Sequence, residues 1–325
     1  MATVNEKAAR ITKSGKASIE IWTSKPRIIN QQNFVSSPSL PSWLTLSRLS
    51  NATYLNSSGN MVEVAADTAR FDNAYNGTAW VNQGLLLEKA ATNLVGNSDY
   101  AQNPVPWILS SGAGFTTTRK TNGTLLLESI DSTSRVVFQN PSSYRILNQS
   151  ALTYTTSLYA NSNESIIYNY FILNTGGGSG QIGSFNNTLS ANKDKSALET
   201  RYNIVFTRSN ALSNGDLLLG RNASNVWMNV GYPQVELGSY PTSWIRTSTA
   251  AVTRAQDNLQ LNVTNYTGSV KLTYKRQDTD ATESAWIDLT NATNPILTNS
   301  LSVGIWLQNI AVYNRTLTAQ EKANA

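Results

Sequence analysis

Short runs of strand-forming residues follow one another along most of the sequence, and turn residues separate them. The segment Leu152–Ala160 alternates apolar and polar positions, as a half-buried strand does. Further runs of this kind lie at Leu125–Ile130 and Tyr202–Thr207, with no helical periodicity between them. The pattern predicts an all-β fold with an antiparallel jelly-roll or β-sandwich domain. It argues against a doubly wound sheet, which needs a helix between successive strands.

The composition supports this fold class. Charged residues make up 14% of the 325 residues, against about 25% in ordinary globular chains. Coiled coils and helical bundles need many Glu, Lys and Arg residues, so both are disfavoured. Extended disorder is disfavoured as well, because the chain contains 8 Trp and 14 Tyr.

The chain contains no histidine and no cysteine. This excludes Ser-His-Asp triads, imidazole ligands, disulfides and thiolate metal sites. Glycoside hydrolysis by two carboxylates remains chemically open, with Glu199 and Asp216 or Glu236 and Glu128 as candidate pairs. None of these acids lies in a recognisable catalytic string, so we predict no catalytic residues and no enzymatic activity.

Positive charge is concentrated at the N-terminus. The first 27 residues contain six basic and two acidic residues, so they hold +4 of the total net charge of +5. The basic residues are Lys7, Arg10, Lys13, Lys16, Lys25 and Arg27. We interpret residues 1–32 as an arm that anchors the protein to an acidic partner surface, the alternative being a solvated tail. Nucleic-acid binding is not predicted, because such domains more often spread a basic stripe over a folded face.

Three further segments follow this arm. Residues 33–95 are interpreted as a loop-rich β connector, 96–255 as the jelly-roll domain, and 256–325 as a small C-terminal β module. Thr318 and Glu321 have capping-box spacing, which predicts a short terminal helix in this module. No apolar run is long enough to span a bilayer and no leader-like apolar segment follows Met1. We therefore expect synthesis in a cytoplasm and no membrane insertion.

Two groups of motifs resemble strings found in virion proteins of tailed bacteriophages. The first group is Ala52–Gly59, Ala69–Asp72 (ARFD) and Gly84–Leu94 (GLLLEKAATNL). The second is Gln234–Ile245 (QVELGSYPTSWI) with Ala251–Ala255 (AVTRA). They are similar to the "ATY…G, PRFD, GLLxEexxTNLl" and "QLExGxxPTSYIpT…VTRA" strings of head-fibre, spike and tail-fibre proteins with a lectin-like jelly roll.

Three positions depart from the family pattern, and none alters the fold that it implies. Ala69 stands where the family has Pro, Tyr232-Pro233 adds a residue, and Trp244 replaces Tyr. The segment 311–321 is also similar to the closing "YNRaLsxxE" turn of concanavalin-A-like domains.

The resemblance implies a bacteriophage virion structural protein of the fibre or spike type, located on the virion surface and made in the bacterial host cytoplasm. Its expected partners are other virion proteins (capsid, portal, neck or tail), copies of itself in a homotrimer, and host-surface polysaccharide. Two other functions stay open at this point. One is a purely structural capsid decoration or collar protein, and the other is a polysaccharide depolymerase with glycosidase or lyase chemistry.

Candidate ligand sites follow from residue chemistry. Sugar rings pack on flat aromatic faces beside amide groups, which makes Tyr168, Tyr170, Trp227 and Asn229 the carbohydrate-binding candidates, with core or interface packing as the alternative. No organic cofactor is predicted. A structural calcium ion is considered for the acidic cluster Asp278, Asp280, Glu283 and Asp288, whose alternative is a solvated loop.

Overall fold

The computed structural model describes residues 25–96, 98, 108–109, 115–120, 124–129, 135–139, 153–162, 169–175, 178–185, 200–207, 218–222 and 227–325. Its strands are β1 (Ile28–Asn33), β2 (Leu44–Ser47), β3 (Ala52–Leu55), β4 (Met61–Val64), β5 (Phe71–Tyr75), β6 (Trp80–Leu87), β7 (Ala91–Asn93), β8 (Ile108–Leu109), β9 (Phe115–Arg119), β10 (Thr124–Ser129), β11 (Arg135–Gln139), β12 (Thr153–Ser162), β13 (Asn169–Thr175), β14 (Gly178–Phe185), β15 (Thr200–Thr207), β16 (Leu218–Asn222), β17 (Trp227–Leu237), β18 (Val252–Arg254), β19 (Asn258–Leu261), β20 (Tyr266–Arg276), β21 (Thr282–Ala292) and β22 (Ile305–Tyr313). Within these described ranges a 3-10 turn covers Leu297–Ser300 and a short helix, α1, covers Ala319–Asn324.

A six-stranded antiparallel sheet combines strands from distant parts of the chain. Its order is β21-β20-β22-β6-β5, and β1 also pairs with β22. Along one edge of β22, residues 305–307 pair with β6 and residues 309–313 pair with β1. The predicted connector (33–95) and the predicted C-terminal module (256–325) therefore contribute to the same sheet, and β1 takes in the last residues of the predicted arm.

The segment 96–255 holds a second, five-stranded sheet with the order β15-β12-β17-β10-β9. A three-stranded sheet, β16-β11-β8, and the β13-β14 pair lie in the same part of the sequence. Shorter pairs join β18 to β7, β19 to β2 and β3 to β4. All of these pairings are antiparallel, and the predicted all-β antiparallel class, consistent with a jelly roll or β-sandwich, is confirmed.

Alternation along β20 shows why the six-stranded sheet forms. Val270, Leu272 and Tyr274 are buried, whereas Lys271 and Thr273 point to the opposite face. The buried face packs on a hydrophobic core that also receives side chains from β2, β6, β19 and β22. Each large aliphatic side chain buried in such a core stabilises the fold by about 1.5–3 kcal/mol. This core contains Phe34, Leu44, Leu46, Leu85, Leu87, Leu259, Leu261, Val270, Leu272, Tyr274, Leu297, Ile305, Leu307, Ile310 and Val312.

The C-terminal residues form the predicted capping box and short helix. The Thr318 hydroxyl accepts a hydrogen bond from the Glu321 backbone N–H, and the Glu321 carboxylate accepts one from the Thr318 backbone N–H. This reciprocal capping box opens α1, as predicted. Among the described residues, no helix has the length and apolarity that a bilayer crossing requires.

Candidate functional site

Five charged side chains meet at the ends of strands that belong to three sheets, namely the six-stranded sheet, the β19-β2 pair and the β18-β7 pair. They are Arg48, Arg70, Glu88, Arg254 and Asp257, and we call them the junction cluster. Arg48 follows β2, Arg70 precedes β5, Glu88 follows β6, Arg254 ends β18 and Asp257 precedes β19. All five side chains are fully buried. Such burial is costly unless every charge is paired, so the contacts within this cluster decide what it can do.

Arg70 is the centre of the junction cluster. One of its terminal nitrogens, Nη1, donates to Glu88 Oε2 at 2.9 Å and to the Thr53 carbonyl at 2.9 Å. The same nitrogen donates to the Ser243 hydroxyl at 2.8 Å. Its other terminal nitrogen donates to Asp257 Oδ2 at 2.6 Å. These charge-assisted bonds tie β3, β5, β6 and the loop after β17 to one guanidinium group.

Arg48 and Arg254 complete the cluster. Arg48 donates to Asp257 Oδ1 at 2.9 Å and to the Ala65 and Ser50 carbonyls at 2.8 Å. Arg254 donates to the Lys89 carbonyl at 2.7 Å and lies 3.5 Å from Glu88 Oε2. The cluster thus joins segments that are widely separated in sequence.

Glu88 and Arg70 are held in their charged forms. Burial on its own would raise the pKa of Glu88, but Arg254, Arg70 and the Ser243 donors more than offset it and hold that pKa well below the usual range. Burial would lower the pKa of Arg70, but the carboxylates of Asp257 and Glu88 outweigh it and raise that pKa. Glu88 therefore has no proton to donate, and its lone pairs are occupied by Arg70, Ser243 and Gln277. Glu88 therefore has a structural role and is not a general acid, because a general acid must carry a proton and reach a substrate.

The two groups of virion-like motifs meet at this cluster. Arg70 and Glu88 belong to the first group, and Ser243 and Arg254 belong to the second. The Ser243 backbone N–H and hydroxyl both donate to the Glu88 carboxylate at 2.6 Å. The motif residues that the sequence sets more than a hundred positions apart therefore form one connected unit.

The second motif group also builds a closed polar pocket around Glu236. Its carboxylate accepts the Thr242 backbone N–H at 2.6 Å, the Thr242 hydroxyl at 2.9 Å, and the Gln234 amide. The side-chain carbonyl oxygen of Gln234 in turn accepts a hydrogen bond from the Ile245 backbone N–H at 2.6 Å. Burial raises the pKa of Glu236 to about 7, although Arg201 and the Thr242 donors act in the opposite direction. Glu236 is 1% exposed, so this carboxyl group does not face solvent.

The structure does not bring the candidate carboxylate pair of Glu236 and Glu128 together. Glu128 lies opposite Trp227 in the β10–β17 register, nine positions along β17 from Glu236. At about 3.3 Å per residue the two are roughly 30 Å apart. Glycosidases need a separation of about 5–9.5 Å, so this pairing is wrong. Glu199 and Asp216 lie outside the described residues.

The predicted sugar-binding residues have different outcomes. Tyr168 lies outside the described residues, and Tyr170 is placed only as a backbone position in β13. Trp227 is 8% exposed and Asn229 is fully buried, both in β17. A ring that stacks on a sugar needs an open face, so these two residues present no open sugar-binding surface in this structure. Carbohydrate binding by this group stays a prediction.

Two of the six predicted anchoring residues belong to the described part of the chain. Lys7, Arg10, Lys13 and Lys16 lie outside the described residues, whereas Lys25 and Arg27 are described and exposed. The Arg27 backbone N–H donates to the Asn314 side chain at 2.9 Å, and the Asn314 backbone N–H donates to the Arg27 carbonyl at 3.0 Å. The described end of the arm is therefore tied to the end of β22, and virion anchoring stays a prediction.

The acidic residues considered for calcium face basic side chains. Asp278 lies 2.6 Å from Arg276, Asp280 lies 2.6 Å from Lys275, and Asp288 lies 2.5 Å from Lys322. Glu283 lies 3.6 Å from Arg276. Within the part of the chain that the structure describes, no group of three or more acidic side chains is arranged to hold a metal ion. Each of the four acids is thus paired with a basic side chain, and a structural calcium ion stays a hypothesis.

The junction cluster also contains residues that the sequence prediction missed. Arg48 and Asp257 lie outside the quoted motifs, and their ion pair joins positions 209 residues apart. Their one visible signal is that each is a charged residue next to a short apolar run in a chain that contains few charges. The partner of each could not be identified from that signal.

Comparisons with known proteins give distant matches only. No family model matches the chain, and no curated protein matches it. A solved structure described as "CBM4 structure and function" is 12% identical, with a TM-score of 0.30, and the match covers 46% of this chain and 94% of that one. The tripod from the baseplate of bacteriophage Tuc2009 is 11% identical, with a TM-score of 0.30, and the match covers 78% of this chain and 100% of that one.

Proposed function

We propose that the chain is a non-catalytic structural protein of a tailed-bacteriophage virion, of the fibre or spike type, which attaches to the capsid, neck or tail and binds host-surface glycan. The observation that carries this proposal is the convergence of the two virion-like motif groups on one buried junction cluster. The side chains of these motifs hold distant strands together. A structural component of a virion needs a fold that is held together in this way.

The state of the buried carboxylates supports the non-catalytic part of the proposal. Glu88 is held ionised by two arginines and cannot act as an acid. Glu236 is closed off by Thr242 and Gln234, and the Thr242 contacts use both of its oxygens. Since the chain also lacks histidine and cysteine, little remains from which a hydrolytic site can be built.

A purely structural decoration or collar protein is the second candidate. The burial of Trp227 and Asn229 favours it, because aromatics that pack inside a protein are not available to bind sugars. The two candidates share the virion location and differ in whether an exposed surface binds glycan.

Electron microscopy of the intact particle tests the virion location. We expect antibodies against this chain to label purified virions at a fixed position, and a density map of the particle to contain its two sheets as a threefold assembly. The trimer is taken from the family resemblance, and light scattering of the purified full chain measures it independently. Purified particles that lack this polypeptide by mass spectrometry would refute the proposal.

A further inference from the structure

One face of the six-stranded sheet points away from the hydrophobic core and carries two tryptophans. In the strand register Lys271 on β20 lies opposite Trp286 on β21, and Lys275 on β20 lies opposite Trp306 on β22. Thr273 lies between the two lysines and opposite Ser284. We call this surface the tryptophan face; it consists of Lys271, Thr273, Lys275, Ser284, Trp286, Trp306 and Asn309.

Each tryptophan on this face is accompanied by an ammonium group. Lys271 Nζ lies 5.6 Å from the centre of the Trp286 ring, and Lys275 Nζ lies 5.6 Å from the centre of the Trp306 ring. These are cation–π distances. The two lysines are four positions apart on β20, which corresponds to about 13 Å. The two ring-and-ammonium pairs are therefore farther apart than the width of a single sugar ring.

The rings are held in place by the surrounding structure. Trp306 donates from its indole nitrogen to Asp72 at 2.9 Å. Trp286 packs against Tyr313, with 5.5 Å between ring centres, and Lys322 of α1 lies 5.9 Å from its ring centre. Both tryptophans remain half-buried, so each still presents part of its surface to solvent. Fixed aromatic rings lose little conformational entropy when a ligand packs on them.

Polar groups suited to hydroxyl recognition fill the space between the tryptophans. The Thr273 and Ser284 hydroxyls are 3.2 Å apart, with Ser284 exposed and Thr273 half-buried. Asn309 lies opposite Thr273 on the neighbouring strand, β22. A hydroxyl group can donate and accept, and an amide can do both as well, so this strip can bond to sugar hydroxyls in either direction.

The charge of this face points to the class of ligand. Lys275 pairs with Asp280 at 2.6 Å, and Lys322 pairs with Asp288 at 2.5 Å. Lys271 has no carboxylate within ion-pair distance among the described residues. Lys275 and Lys322 are thus each paired with an aspartate, whereas Lys271, beside the Trp286 ring, carries a positive charge without an ion pair among the described residues.

We propose that the tryptophan face binds an acidic polysaccharide that contains uronic acid residues. The carboxylate of one sugar pairs with Lys271 and draws its ammonium away from the Trp286 ring, so that the C–H face of that sugar packs on Trp286. A further sugar of the same polysaccharide chain packs on Trp306, and hydroxyls between them bond to Thr273 and its neighbours. This inference rests on the proposed glycan binding and deepens it. It assigns the ligand to the C-terminal strands, whereas the sequence candidates lay in the segment 96–255.

Binding of the full chain to polygalacturonate, with neutral dextran as the comparison, tests this inference by isothermal titration calorimetry. We expect wild-type protein to bind polygalacturonate and not dextran, with weaker binding at higher salt because the ammonium–carboxylate attraction is screened. Trp306→Ala should weaken binding about tenfold and Lys271→Gln several-fold. Lys120→Gln, which removes an equal charge from the β9–β10 connection of the other sheet, should bind as wild type does.

Trp306→Phe keeps an aromatic ring but, like Trp306→Ala, removes the indole donor to Asp72. It should bind better than Trp306→Ala, and the melting temperature of each variant shows whether it is folded at the temperature of the binding assay. If wild type binds but Trp306→Ala and Lys271→Gln bind equally well, the assigned location is wrong and glycan binding itself stands. Equal binding of dextran overturns the acidic class of ligand. Absence of any polygalacturonate binding overturns the inference, while the virion location is still decided by electron microscopy of the particle.

Discussion

Replacing Arg70 by Met tests whether the junction cluster holds the fold together. The substitution removes bonds of 2.9 Å to Glu88 and 2.6 Å to Asp257, and it leaves both carboxylates buried with fewer cations around them. Removal of one partner from a buried ion pair costs about 3–5 kcal/mol. At about 2–4 °C per kcal/mol this corresponds to a fall of roughly 6–20 °C in Tm. Urea unfolding followed by tryptophan fluorescence measures the free-energy difference, and calorimetry measures Tm.

Arg246→Met is the matched control for this experiment. Arg246 pairs with Glu63 at 2.9 Å, the same distance as Arg70 to Glu88, but both partners of the control pair are 31% exposed. An exposed pair contributes about 0–1 kcal/mol, so the control should unfold almost as wild type does. If Arg70→Met and Arg246→Met lie within about 1 kcal/mol of each other, burial is not what makes the cluster important. The double variant Arg70→Met/Glu88→Gln should cost less than the sum of its single changes, because the two groups interact directly.

Three further predictions concern other parts of the chain. Since the pKa of Glu236 rises from 4.5 to about 7 on folding, wild-type stability should fall as pH increases from about 4.5 to about 7, and Glu236→Gln should reduce that fall, leaving the part that comes from Asp72, whose pKa burial also raises. Gly84→Ala should destabilise by about 3 kcal/mol in urea unfolding, because its φ is +122° and a Cβ there would collide with the Leu307 carbonyl; Gly77→Ala, with φ +97° in open space, should cost only about 1–2 kcal/mol. Thr318→Ala removes the α1 cap and should cost about 1 kcal/mol or less, seen as faster amide exchange in the helix and unchanged exchange in β20.

Local features of the fold follow from the sequence because they depend on neighbouring residues. The alternation in Leu152–Ala160 predicted β12, and the Met61–Val64 run forms β4. The capping pair at Thr318 predicted α1. Each of these elements is specified by side-chain spacing over a few residues, which sequence periodicity reports directly.

Pairings between distant strands do not follow from the sequence in the same way. The predicted division placed 33–95 and 256–325 in separate segments, yet β6 and β22 are neighbours in one sheet. Nothing in the apolar run Gly84–Leu87 identifies which other run it will pair with, because many runs in this chain are equally apolar. Which strands pair is decided by how their side chains pack and by buried ion pairs such as Arg48–Asp257. Both depend on the three-dimensional structure.

For the tryptophan face, too, the sequence predicts contacts between nearby residues but not the pairing of distant strands. That Lys271 and Thr273 share a face is evident from their spacing. That Trp286 and Trp306 lie on either side of the same strand requires the register of β20 with β21 and β22. The sequence therefore offered Trp227 as a sugar-binding candidate while the partly exposed tryptophans lay elsewhere.

The pairing of the first strand with the last strand of the six-stranded sheet has a consequence for folding during translation. The contact between Arg27 and Asn314 joins positions 287 residues apart, so a ribosome releases β1 long before its partner β22 exists. During translation β1, β5 and β6 expose unpaired edges, while the strands of 96–255 emerge and find partners among themselves. We expect nascent chains stalled before residue 305 to be cut by protease within residues 28–87 and protected within the β12–β17 pair, and chains released after residue 313 to be protected in both.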